Sequence, residues 1–324
     1  MKAGLKSAAL ALFLSAFNGS AGAQDVARFP DRPIRMIAPS SAGGPVDVIA
    51  RAVSQGLSDM LGQQVVVDNR AGAAGLIGAE TVASATPDGY TLLFGFSGPL
   101  VIVPHLSGKT QYNTLRDFAP VTLAAQAPYV LLVHPSVPAN SVKELIALAK
   151  QNPGKYSIAA LPSSSQHLGS ELFKLQAGIN LLFVPYKGNA AALTDLLGGQ
   201  VQMMFASVSG TIGYLRAGTL RGLAVTTATR AQMLPDVATV GDFVHGFDAS
   251  AWLGIGAPKG TSGDIIKRLN SEINRGLAEP KIVARLSDFG GMALPGSPDE
   301  FKQLIADDTR KWAKVVSLAG IKVD

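Results

Sequence analysis

The chain has 324 residues, 47% apolar and 16% charged, with a formal net charge of +5. This composition excludes a disordered chain, and the length exceeds a typical single domain, so two lobes are expected. The absence of cysteine excludes disulfides and thiolate metal sites, and the basic excess is spread too thinly to mark a nucleic-acid partner.

The first residues have the three parts of a secretory signal. Lys2 and Lys6 supply the positive region, Ser7 to Phe17 an apolar run too short to span a bilayer, and Ala21-Gly22-Ala23 the cleavage site. Residues 1–23 are therefore expected to be removed, with Gln24 leading the mature chain. A cysteine-free exported protein of this size fits a bacterial periplasm. No later apolar run reaches the ~18 residues of a membrane helix.

Strand and helix signals then alternate. Ile34 to Ala38 reads as a strand, and Val46 to Leu61 as a helix with Val46, Ile49, Val53, Leu57 and Leu61 on one face. Gly62 stops that helix. Between the two runs lies Pro39-Ser40-Ser41-Ala42-Gly43-Gly44-Pro45-Val46-Asp47. A glycine-rich strand-to-helix turn leaves backbone N–H groups unpaired at a helix N-terminus, which favours an anion. Asp47 suits the first helical turn as a cap. Val65 to Val67 is a second strand, followed by Asn69-Arg70 and a turn through Gly72, Gly75 and Gly78. A short helix, Leu76 to Ser84, leads to the turn Pro87-Asp88-Gly89. Tyr90 to Gly95 is a third strand that ends in the small-residue turn Phe96-Ser97-Gly98-Pro99.

The middle of the chain repeats this grammar. Tyr129 to Val133 is a strand. Val142 to Gln151 is a helix, with Ser141 and Glu144 spaced as a capping box. Tyr156 to Ala160 is a strand that runs into Leu161-Pro162-Ser163-Ser164-Ser165-Gln166-His167 and a helix to Ala177. The strand Leu182 to Pro185 leads through Tyr186-Lys187-Gly188 to a helix, Ala190 to Leu197. Val201 to Phe205 and Leu223 to Thr227 are further strands, the first ending in a turn over 206–210. In the tail, Trp252 to Ala257 is a strand, and Thr261 to Ala278 and Pro298 to Ala319 are amphipathic helices. This alternation implies an α/β fold of mostly parallel sheets flanked by helices. Ligands of such sheets bind beyond the strands' carboxyl ends. The small-residue turns at 39–47, 96–99, 161–167 and 206–210 all follow strands, which points to one binding cleft.

Several catalytic patterns fail on spacing. Gly72, Gly75 and Gly78 lack the initial Gly-x-Gly of a dinucleotide site. Gly108-Lys109-Thr110 has Val103 where a phosphate loop needs glycine. Ser97 has Pro99 where a nucleophile elbow needs its last glycine. The four His residues are far apart and form no zinc motif. Ser163-Ser164-Ser165 with His167 invites a nucleophile–base reading, and an exported serine hydrolase is the second hypothesis. Hydroxyls that cap a helix and bind a ligand are the alternative. Arg70 reads either as a fork for a carboxylate or as a structural salt bridge. Lys187 reads either as a ligand contact or as a surface charge at the start of a helix.

Blocks of sequence along the whole mature chain resemble the Bug family, the periplasmic substrate-binding proteins of tripartite tricarboxylate transporters. These are Pro39 to Asp47 with Ala50-Arg51, Asn69 to Ala79, Pro87 to Leu92, His167-Leu168 with Glu171-Leu172-Phe173, Val184 to Gly188, Leu193 to Val201 and Leu234 to Val237. The resemblance implies a two-lobed type II periplasmic-binding, or Venus-flytrap, fold. Its first lobe would comprise 24–122 and 251–324, and its second 123–250. It further implies a receptor without enzymatic activity or cofactor, a monomer that closes on a small carboxylate for a membrane permease or sensor. The carried-over first-lobe contacts are Ser40, Ser41, Ala42, Gly43, Gly44 and Asp47, with Ser97 and Gly98 beside them. Those of the second lobe are Ser163, Ser164, Ser165, His167, Lys187, Ala206, Ser207 and Ser209, and no metal ligand is implied. Two positions depart from the family pattern. Val46 replaces a common Thr and Ala206 a common Asp, and the latter argues for a less polar ligand.

Overall fold

The computed structural model describes residues 28–107, 110–288 and 290–321. The expected leader and its cleavage site lie outside the described residues. The first sheet-forming segment is β1 (Ile34–Ala38), α1 (Pro45–Leu61), β2 (Val65–Asn69), α2 (Leu76–Ala83) and β3 (Thr91–Phe96). Then come α3 (Val103–Ser107), α4 (Thr114–Asp117) and β4 (Phe118–Ala127). The second segment is β5 (Tyr129–Val133), α5 (Val142–Gln151), β6 (Ser157–Ala160), α6 (Ser165–Ala177), β7 (Leu182–Pro185), α7 (Asn189–Leu197), β8 (Met203–Ser207), α8 (Val208–Arg216) and β9 (Arg221–Val225). The chain ends with β10 (Ala251–Pro258), α9 (Gly263–Leu277), α10 (Pro280–Asp288), β11 (Met292–Ala293) and α11 (Pro298–Ala319).

Two sheets result, in the orders β11-β4-β10-β3-β1-β2 and β7-β6-β8-β5-β9. They are more mixed than the alternation alone implies. The βαβ units β1–β2, β1–β3, β6–β7 and β6–β8 are parallel. Strands that arrive from the other sheet are not delivered by a crossover helix, and they run the opposite way: β10 is antiparallel to β3 and β4, and β5 to β8 and β9. Apart from the short β11, which also runs antiparallel to β4, antiparallel strands mark where the chain changes sheet, at Pro128 and again just before Ala251.

Each sheet buries its apolar strands under amphipathic helices. Ile265, Leu269, Ile273 and Leu277 of α9 pack with Ile49, Val53 and Leu57 of α1 on the first sheet. Each such side chain contributes about 1.5–3 kcal/mol on burial. A further cluster continues from Leu93 and Trp252 through Phe173 and Phe205, beneath Trp312 of α11. Where the chain leaves and re-enters the first sheet, Gln126 Nε2 donates to Ser250 Oγ at 2.5 Å, so the end of β4 is tied to the residue before β10. Asp248 accepts from both the N–H and the hydroxyl of Ser250, and its carbonyl accepts from Lys311 Nζ at 3.1 Å. Buried Asp308 accepts from Trp252 Nε1 at 2.7 Å.

Four features differ from expectation. β4 is a ten-residue strand although its sequence, rich in Ala and holding Pro120, lacks a strand signature. Its register against β10 shifts twice, and such irregularities are where a sheet tolerates Pro. Residues 98–102 form a π-helical turn rather than a small-residue turn, and α8 replaces the end of the turn expected over 206–210. The box at α5 is shifted: Ser141 Oγ accepts the Glu144 N–H, while the Glu144 carboxylate accepts from Asn140 N–H rather than from Ser141.

Candidate functional site

Strand register gathers the expected residues. Ile37 of β1 lies opposite Leu93 of β3, so Ser40 and Ser97 follow neighbouring strands at the same end of the first sheet. Ala38 opposite Asn69 brings the end of β2 beside them. In the second sheet, Ala160 faces Pro185 and Ala159 faces Met204. Residues 161–167, Lys187 and Ser207 through Ser209 therefore follow three adjacent strands. Tyr129, opposite Ser207 and one residue past the crossing at Pro128, belongs to the same end.

The turn after β1 is held from within. Asp47 is buried, and its carboxylate accepts from Gly43 N–H at 2.8 Å, Asn69 Nδ2 at 2.9 Å and Arg51 Nε at 3.1 Å. Asn69 Nδ2 also reaches the Ser40 carbonyl at 3.2 Å, and Arg51 Nη2 donates to Asn69 Oδ1 at 3.0 Å. Burial alone raises the Asp47 carboxyl pKa. The hydrogen bonds from Arg51, Gly43 and Asn69 outweigh it and hold the carboxyl below the usual carboxylate range. Asp47 thus braces the turn that presents Ser40 to Gly44, with Gly43 in the left-handed region at φ 79°. Ser41, Ala42 and Gly43 are exposed. Arg70 pairs with Asp68 at 3.2 Å, the structural alternative.

Two small-residue contacts seat this turn. A methyl on Gly78 would come within 2.8 Å of Pro39 Cα, and one on Gly75 within 3.2 Å of the Pro39 carbonyl. The glycines at the start of α2 therefore let that helix press against Pro39. Gly98 accommodates the Phe96 ring in the same way, at 2.5 Å. Ser97 is 2% exposed. Among the described residues, the hydroxyls of Ser40 and Ser97 are both enclosed and both lack a hydrogen-bond partner. Leaving a buried hydroxyl unpaired costs roughly 1–3 kcal/mol, and these two lie at the same end of the first sheet as donors free for a polar atom.

Beyond β6 of the second sheet, Ser164 caps α6. Its Oγ accepts from His167 N–H at 3.2 Å and donates to the Leu161 carbonyl at 2.6 Å. His167 is buried, stacks on Phe183 with centroids 4.1 Å apart, and accepts the Ser163 N–H on Nδ1 at 3.1 Å. That bond fixes the tautomer with the proton on Nε2. The Nδ1 lone pair is occupied by backbone rather than by a serine hydroxyl, so the serine-hydrolase pairing is not formed. Burial pushes the His167 pKa below the imidazole norm, with Glu171 opposing. Ser163 sits at φ 62°, a strained value for a residue with a side chain.

Ser165 shares a hydrogen bond with Tyr129, whose phenol burial pushes up to about 12. Tyr129 escaped the sequence reading because it begins a strand instead of following one; its position at the crossing was the available signal. Lys187 is exposed, and the methyl of Ala206 packs into the apolar cluster with Val208. Ser207 is exposed at the start of α8. Ser209 lies against Gly290, between α10 and β11: a methyl there would sit 3.0 Å from the Ser209 nitrogen.

Helix caps divide by location. Ser141, Ser262 and Ser297 cap α5, α9 and α11, whose N-termini follow antiparallel strands or lie away from this end. The helices α1, α7 and α8, which start at this end, begin at Gly44, Gly188 and Ser207 with no side-chain cap bond. Positive helix ends without a side-chain cap favour an anion. α6 alone among them carries its own cap.

A sequence model of the family described as a tripartite tricarboxylate transporter family receptor matches residues 49–321. The chain is 39% identical over 298 residues to protein BugT of Bordetella pertussis, covering 91% of each. Among solved structures, it is similar to R. palustris Rpa4515 with adipate, at 34% identity and a TM-score of 0.74, covering 91% of this chain and 99% of that one. It is also similar to MatC from Rhodopseudomonas palustris with bound malate, at 29% identity and a TM-score of 0.70, covering 89% and 100%.

Proposed function

We propose that this chain, which belongs to the tripartite tricarboxylate transporter family of receptors, is a periplasmic solute-binding protein that closes its two lobes on a small carboxylate. The observation that carries this reading is the pair of enclosed, partnerless hydroxyls of Ser40 and Ser97, beside the uncapped N-terminus of α1. Carboxylate oxygens accept hydrogen bonds only, and hydroxyls and helix N–H groups are the donors that suit them. The two relatives with bound adipate and malate support the ligand class.

Ser40, Ser41, Ala42, Gly43, Gly44, Ser97 and Gly98 form one jaw, and Ser163 to His167, Lys187, Ser207 and Ser209 the other. Asp47 serves by holding the first jaw in shape. The lobes divide where the sheets do, and the crossing strands around Gln126 and Ser250 form the hinge. The protein acts as a monomer without cofactor or turnover, after removal of residues 1–23, and hands its ligand to a membrane permease or sensor.

Titration calorimetry of the mature protein against mono-, di- and tricarboxylates, adipate and malate included, tests the reading. At least one saturable, equimolar ligand is expected, with compaction by small-angle scattering when it binds. No heat across the panel, or binding without compaction, overturns it.

A further inference from the structure

Helix α8 has two ends with different surroundings. Its start, Ser207 and Ser209, belongs to the cleft, while its second half borders a separate cavity of about 500 Å3. Ile212 and Leu215 of α8, Leu220 before β9, and Met233, Leu234 and Val237 supply the apolar wall. Leu220 and Leu234 are buried in the second lobe's core, and the other four are half-buried and pack against it. None of the cleft residues lines this cavity. The volume lies within the roughly 300–1,000 Å3 of small-molecule sites. Leu234 to Val237 is also one of the blocks singled out in the sequence, and the cleft makes no use of it.

The polar groups around this wall are mostly cationic. Arg216, at the C-terminal end of α8, is exposed and has no hydrogen bond or ion pair among the described residues. Arg221 is aimed: its Nη1 donates to the carbonyls of Val137 and Ala139 at 3.1 and 2.8 Å, which fixes the guanidinium plane and leaves its other nitrogens to donate elsewhere. Among the described residues, Asp236 is the single carboxylate of the lining. Two guanidiniums against one carboxylate give the cavity a positive balance over an apolar wall. Guanidiniums select planar carboxylates by paired hydrogen bonds.

We infer that this cavity is a second binding site, for an amphipathic carboxylate whose apolar chain lies on Ile212, Leu215, Met233 and Val237 and whose head group meets Arg216 and Arg221. Its occupancy does not depend on the cleft reading, because the two sites share no residue.

Methyl-detected NMR of the mature protein, titrated with octanoate and separately with octanol, tests it. Saturable shifts of the Ile212, Leu215, Met233 and Val237 methyls are expected with octanoate. They persist when Ser40→Ala and Ser97→Ala disable the cleft, and the affinity falls about tenfold or more in Arg216→Ala. Arg216→Glu, at an exposed and partnerless position, leaves the fold intact and abolishes the shifts. Octanol binds more weakly. The inference is overturned by shifts that do not saturate, by shifts confined to cleft methyls, by equal affinity for octanol, or by indifference to both Arg216 variants.

Discussion

Asn69 Nδ2 lies 2.9 Å from Asp47 Oδ1 and 3.2 Å from the Ser40 carbonyl, so one amide at the end of β2 fastens both ends of the turn that leaves β1. Asp47 returns the contact with a carboxylate that also holds Gly43 N–H and Arg51. Asp47→Ala strands an amide, a backbone N–H and a guanidinium together. A loss of roughly 1–3 kcal/mol in urea unfolding is expected, with carboxylate affinity falling at the same time. Because the folded pKa of Asp47 is depressed, its contribution is complete above the ordinary carboxyl pKa and is lost as pH falls through the folded value. Wild type and Asp47→Ala should therefore converge in stability under acid, and a constant gap from neutral to acidic pH would refute the brace.

Ser40→Ala and Ser97→Ala should separate stability from binding. Each removes an enclosed hydroxyl that has no partner. The ligand-free variant is expected to unfold at the same or a higher urea concentration than wild type, since an unpaired buried group is a cost that the methyl does not carry. Affinity for the carboxylate found by calorimetry should fall about tenfold, or about 1.4 kcal/mol, for each. A large stability loss with unchanged affinity would make these hydroxyls structural.

The sequence was most legible where one signal sufficed. Apolar periodicity located α1, α9 and α11, and Gly62 closes α1 in the left-handed conformation as expected. It was least legible where tertiary contact overrides local preference. β4 forms despite Pro120 because β10 pairs along its length with two register shifts. Phe96-Ser97-Gly98-Pro99 read as a turn, yet it enters a π-helical segment whose Pro99 and Leu100 carbonyls accept from Tyr112 and Thr114 more than ten residues later. The turns at the strand ends were visible because small residues follow strands. The division of labour within them was not: Asp47 and Arg70 differ from ligand contacts only through partners, Asn69 and Asp68, that the fold supplies. Tyr129 required knowledge of where the chain changes sheet.

His167 offers a test of tautomer and burial together. With Nδ1 accepting the Ser163 N–H, the ring is expected to carry its proton on Nε2 in nitrogen-detected NMR. Its titration should fall below the ordinary value of about 6.5, because burial disfavours the charged form. A depressed folded pKa means that stability from this group is full above the unfolded pKa and declines as pH falls through the folded one. His167→Gln should flatten that part of the pH–stability curve. A ring that titrates at or above the ordinary value, or that is protonated on Nδ1, would contradict the geometry.

The same chemical change at two helical glycines should have opposite effects. Gly78 faces Pro39, where a methyl would meet Cβ at 2.7 Å and Cα at 2.8 Å, and backbone cannot rotate aside. Gly213 of α8 has, among the described residues, no atom within 4 Å of the equivalent point beyond its own chain neighbours and helix backbone. Alanine is the better helix former by about 1 kcal/mol, so Gly213→Ala should stabilise by about that amount and leave carboxylate affinity alone. Gly78→Ala incurs an overpacking cost of roughly 1–3 kcal/mol that meets or exceeds the helical gain. Relief of that clash moves Pro39, and Ser40 moves with it. The decisive reading is therefore affinity: Gly78→Ala should weaken carboxylate binding even though it touches no ligand-facing group. If Gly78→Ala bound as tightly as Gly213→Ala, the position of Pro39 would not set the geometry of the first jaw.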